Sequence, residues 1–148
     1  MINTVLFGSL TINWIHFLAS LWMTTILWFV QIVHYPLFLA IPKQGLIHYS
    51  ERHQVRISSL VMPGMLIEIS SLLWLGKDFF GLLIWKALIL CTLIVWGSTF
   101  FIQVPLHKQL TISPNYDDIQ KLIKTNWLRT IFWTVKSILA FFLLKEVL

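Results

Sequence analysis

Charge is what this chain has least of. Asp, Glu, Lys and Arg make up only 11 % of its 148 residues, while 57 % are hydrophobic. Soluble domains carry roughly twice that share of charge, so a soluble globular protein is excluded. Cysteine is nearly absent as well: Cys91 stands alone. An intrachain disulfide and a zinc site built on cysteine pairs are therefore ruled out, and a thiol in an apolar run reads as buried packing. The first thirty residues, "MINTVLFGSLTINWIHFLASLWMTTILWFV", hold no Lys or Arg. They lack the basic start of a signal peptide and run apolar too long for one, so they read as a retained first helix. There is no serine between glycines, no phosphate loop and no Asp-rich pair for magnesium and pyrophosphate, which disfavours phosphotransfer and prenyltransfer. No basic stripe lies outside the apolar segments, so nucleic acid is not an expected partner. The net charge of +5 reads instead as topology or contact with anionic lipid.

What the chain does have is long apolar runs and aromatics, eight Trp among them. A bilayer core of about 30 Å needs roughly 20 apolar residues in a helix. Four segments meet that length, at about 5–33, 46–75, 79–104 and 118–144. "HYP" at 34–36 and Pro105 are expected to stop the first and third, because proline lacks a donor and disfavours a helical residue before it. Pro63-Gly64 should kink the second. "GKD" at 76–78 reads as a turn. "SPNYDD" at 113–118 reads as a turn and a helix start with favourable aspartates. Short connections make neighbours antiparallel, so residues 1–148 are expected to form one all-α domain, a four-helix transmembrane bundle.

At 100° per residue, Asn13, His16, Ser20, Thr24, Gln31 and His34 share one face of the first helix. Thr92, Trp96, Thr99, Gln103 and His107 share one on the third, and Asn126, Arg129, Trp133 and Ser137 one on the fourth. On the second, His48, Arg52, Arg56 and Ser59 line up, and Glu68 joins them only if the kink resets the phase. Polar groups facing lipid are costly, so these faces should meet in a polar seam. Lys86 and Lys136 are expected off the seam, snorkelling to the interface.

Chain direction adds a second constraint. Call the end where the chain begins A and the other B. His34, His48, His53 and His107 then converge at B with Arg52, Arg56 and Arg129. Imidazoles with a deeper Glu68 suit iron, copper or zinc, or a haem. His48 and His53 are 140° apart on a helix and cannot both serve one ion, so His34, His48 and His107, from three segments, form the candidate metal set. Glu68 and His53 are the candidate acid–base, catalytic groups. Arg52, Arg56, Gln103, Asn126, Arg129 and Trp133 are candidate ligand-binding residues for an amphiphile with an anionic or carbonyl head, since guanidinium forks grip such groups and indole flanks flat ones.

The motifs "VQIVHYP" (30–36), "HQVR" (53–56), Pro63 with Glu68, "QVPLH" (103–107) and "NWLRTIFW" (126–133) together resemble a family of small four-helix bacterial integral membrane proteins. That resemblance implies a bacterial inner-membrane location and no particular activity. The Asn-x-x-Arg of residues 126–129 is similar, more distantly, to the domain-of-unknown-function family that includes fungal anthrone oxygenases. It implies an oxygenase-like activity on flat aromatic compounds. Two expectations of different class follow. One is a membrane oxidoreductase or binding protein, with a hydrophobic or amphiphilic small molecule as partner and haem, iron or copper as cofactor. The other is a non-catalytic accessory or small-transport subunit whose seam serves helix association, with homo-oligomers as one of its forms. Lys43, Lys108, Lys121 and Lys124, besides the arginines, outweigh Lys77 and Lys145 with Lys86 a little inside end A, which puts end B in the cytoplasm and both termini outside.

Overall fold

A computed structural model describes residues 2–146 and 148, with side chains described from Gly8 onward. Four long helices follow one another, and no strand occurs among the described residues. Helix α1 joins Ile2–Phe29, Val30–His34 and Tyr35–Phe38 without a gap; α2 is Lys43–Phe79. Helix α3 joins Leu83–Ser98, Thr99–Gln103 and Val104–Ile112, and α4 is Tyr116–Lys145. The apolar spans Gly8–Phe38, Lys43–Phe79, Leu83–Ile112 and Tyr116–Lys145 are each long and apolar enough to cross a membrane. The shortest have 30 residues, about 45 Å at 1.5 Å each. Loops of three or four residues join the helices, so neighbours run antiparallel. The chain is an all-α four-helix membrane bundle.

Pro36 and Pro105 do not end their helices. Just ahead of each, the helix widens into a π turn. Tyr35 N–H donates to the Val30 carbonyl, and Val104 N–H donates to the Thr99 carbonyl, five residues back in each case. The wider turn accommodates a proline ring that would strike the carbonyl one turn behind it. Likewise α2 runs through Pro63 and through Gly76, Lys77 and Asp78, and the turn falls at 80–82. At α4 the Asn115 side chain caps the helix, accepting from Asp117 N–H at 3.2 Å, with Asp117 and Asp118 in the first turn.

Three apolar clusters stack along the bundle. Val30, Phe38, Leu46, Leu110 and Leu122 belong to the one at B. Met23, Leu27, Met65, Val95 and Trp133 hold the middle, and Leu72, Leu75, Leu88, Ala140 and Leu143 hold the A end. Helix α1 packs along α2 and α4, and α3 packs along α4, but α2 meets α3 chiefly at the B end. Midway the two stand apart.

Candidate functional site

Three helices turn their polar faces inward. Asn13, His16, Ser20, Thr24 and Gln31 of α1, Thr92, Thr99, Gln103 and His107 of α3, and Asn126, Arg129, Trp133 and Ser137 of α4 are all buried. Helix α2 is rotated from its expected facing. His48, Arg52, Arg56 and Ser59 are exposed, while Leu46, Ser50, His53, Glu68, Ser71 and Leu75 are buried. With the half-buried Ile57 and Val61 and the buried Gly64 between them, those residues recur every three or four positions, so Glu68 reaches the interior with no phase reset at Pro63. The cationic face of α2 was the misleading signal, because Arg side chains at the end of a span are at home in the headgroup zone.

Two polar centres result. The first lies mid-bundle around Glu68, which is fully buried. Its carboxylate lies 2.9 Å from the Lys136 ammonium. It accepts from Ser20 Oγ at 2.7 Å and from Trp133 Nε1, which is 3.1 Å from each carboxylate oxygen. His16 Nδ1 lies 3.0 Å from Ser71 Oγ and 3.2 Å from the Glu68 carbonyl. Lys136 is a correction: it is fully buried rather than snorkelling, and it is the counter-ion of Glu68. Its signal was present, since Lys136 follows Arg129 by seven residues, 20° short of two full turns. Lys86 is exposed.

The second centre lies at B. Arg129 donates to Asn126 Oδ1 at 3.2 Å, and Asn126 Nδ2 donates to Gln31 Oε1 at 2.8 Å. Gln103 Nε2 donates to Thr125 Oγ1 at 2.8 Å. The Tyr35 hydroxyl and His107 Nε2 are 2.9 Å apart, and His34 Nε2 and His53 Nδ1 are 2.7 Å apart. The rings of His53 and His107 come within 5.1 Å, centre to centre. Thus His34, His53 and His107 gather from three helices, with Tyr35 among them, and the exposed His48 stays outside. Among the described residues, no three His, Cys, Asp or Glu side chains are grouped so as to hold a metal ion. The donor set therefore does not fit a three-ligand iron, copper or zinc site. Trp133 joins the centres: Arg129 and Lys136 approach its ring, at 5.7 and 5.8 Å from the centroid.

Where α2 and α3 stand apart, a cavity of about 200 Å³ opens. Leu27, Ile57, Val61 and Met65 supply its apolar wall, and Tyr35, Gln103, His107 and Arg129 its polar end. Met62, Phe100 and Val104, exposed on the lipid-facing side, stand at its mouth. Three buried atoms at the polar end have no hydrogen-bond partner: Arg129 Nε, Gln103 Oε1 and His107 Nδ1. No carboxylate among the described residues forms an ion pair with Arg129; the two ion pairs are Lys136–Glu68 and Lys121–Asp118. Sequence reasoning placed Gln31 on the polar face of α1 but did not pick out Tyr35. Its place beside Pro36, in "VQIVHYP", is the signal that could have found it, because π turns recur at functional sites. Comparison of the chain with protein families, with curated proteins and with solved structures finds no match.

Proposed function

We propose that this membrane protein takes a lipophilic molecule with an anionic or carbonyl head sideways from the bilayer into the cavity between α2 and α3. The observation that carries the reading is Arg129, a guanidinium buried at the cavity's polar end with no carboxylate partner. A charge so placed is costly unless paired. An acidic head supplies the missing partner, and the planar fork of Arg suits a carboxylate or carbonyl pair. In the tautomer whose Nε2 accepts from the Tyr35 hydroxyl, His107 Nδ1 carries a proton and adds a further donor, and the tail leaves between Met62 and Phe100. Helix association alone, the alternative reading, accounts for the bonded pairs of the seam but gives no use to the unpartnered Arg129 Nε and His107 Nδ1. Oxidoreductase chemistry on a bare metal ion at the same end has less support, since the described residues include no group of three His, Cys, Asp or Glu that could hold one. The lysine distribution supports end B in the cytoplasm with both termini outside.

Thermal unfolding of the detergent-solubilised protein with dodecanoate tests the reading, against dodecanol of the same chain length. Dodecanoate should raise the midpoint and dodecanol should not. Arg129→Gln should abolish that shift, and Arg129→Lys should restore little of it, because an ammonium lacks the fork. An equal dodecanoate shift in wild type and Arg129→Gln refutes the proposal.

A further inference from the structure

A second cavity, of about 620 Å³, opens on the lipid-facing side between α1 and α2. It is separate from the α2–α3 cavity, and Ile26, Val30 and Ile57 stand between the two. Phe29 and Leu60 extend its apolar wall, and Arg52 and Arg56 stand at its rim. These two arginines are exposed, four residues and so one helical turn apart. Neither forms an ion pair among the described residues, Glu51 beside Arg52 included. The charge-poor stretch of α2 starts at Ile57, directly after Arg56, and holds only Glu68 as a charged residue before Lys77. The two guanidiniums therefore sit where hydrocarbon gives way to headgroups.

From this arrangement we infer that the α1–α2 cavity is a site for one anionic phospholipid, with its phosphate held by Arg52 and Arg56 and an acyl chain along Phe29, Val30 and Leu60. Charge complementarity selects the head. Two guanidiniums one turn apart present parallel donors to phosphate oxygens, and basic pockets between membrane helices take anionic headgroups. The apolar wall, open to the bilayer along its length, selects a lipid over a soluble phosphate, which would leave that wall uncovered. A zwitterionic phospholipid fills the wall equally well but brings a quaternary ammonium to a rim that is already cationic.

Thermal unfolding in detergent with added phosphatidylglycerol, phosphatidylcholine or glycerol 3-phosphate tests this site. Phosphatidylglycerol should raise the midpoint well above either of the others, and native mass spectrometry should show one retained copy. Arg52→Gln with Arg56→Gln should lose the phosphatidylglycerol-specific shift, and the paired lysine variant should keep part of it. Arg129→Gln should leave it intact, which separates this site from the α2–α3 cavity. Equal shifts from phosphatidylcholine, an equal shift from glycerol 3-phosphate, retention in the paired glutamine variant or loss in Arg129→Gln would each overturn the inference.

Discussion

Glu68 and Lys136 sit 2.9 Å apart at mid-bundle, both wholly buried. In so apolar a setting neither tolerates the loss of the other, and the physics gives the pair a particular mutational signature. Breaking a buried pair by removing one partner costs roughly 3–5 kcal/mol, whereas replacing both with apolar side chains is often close to neutral. Lys136→Met should therefore destabilise by about that amount, since it strands a carboxylate that only Ser20 and Trp133 still satisfy. Glu68→Leu should do likewise by stranding the ammonium. The double variant Glu68→Leu with Lys136→Met should be more stable than either single one. Reversible unfolding in mixed micelles measures all three, and additive losses would show that the pair does not act as a unit. Arg129 differs in kind. Its partners are Asn126 and the ring of Trp133, with no carboxylate, and it lines the cavity, so its replacement should affect ligand retention before stability.

At the scale of the helix, the close approach of α1 and α2 turns on Gly64. A Cβ added there would meet Met23 Sδ at 2.8 Å and Trp22 Cδ1 at 3.1 Å, and Met23 is itself fully buried. Gly64→Leu should force the helices apart and cost about 1–3 kcal/mol, as overpacked cores do. Gly97, in α3, has open space around its Cβ position. Gly97→Ala should instead gain about 0.5–1 kcal/mol by relieving the backbone entropy of glycine. The two thermal midpoints should move in opposite directions; a loss at both positions would mean that Gly97 faces a partner. The prolines carry the other element-scale lesson. Pro36 and Pro105 punctuate the sequence as helix ends, yet the π turns ahead of them let each helix run on, and the residues delivered beside the cavity are Tyr35 and His107.

For the molecule as a whole, four spans put both termini on one side and the 39–42 and 113–115 loops on the other. Cys91, the sole cysteine, is buried, so single cysteines placed at the exposed Asp78 and Ser113 can be labelled over little background. In sealed vesicles a membrane-impermeant maleimide should reach only one of the two, whichever way the vesicles face. With end B in the cytoplasm, Ser113→Cys should react only in inside-out vesicles. Reaction of both variants from the same side would sink the four-span arrangement, and reaction of Ser113→Cys from outside would reverse the orientation alone.

The number of spans, their order and the inward faces of α1, α3 and α4 were written in the sequence, because run length against bilayer thickness fixes a span, and a helix with one polar stripe has only one face to hide. Asn126, Arg129 and Trp133 were legible for that reason. Helix α2 has two polar stripes, and periodicity cannot rank them. Burial of Glu68 against Lys136, Ser20 and Trp133 decides which stripe turns inward, and that pairing spans residues 48, 65 and 68 positions apart in the chain. With α2 so rotated, His53 rather than His48 meets His34 and His107, and Arg52 and Arg56 turn to the lipid. The cavity was equally out of reach of the sequence, since it exists only because α2 and α3 close at the B end and stand apart midway. Local pattern sets what each helix can bury; only packing among the four sets what each one does bury, and against which partner.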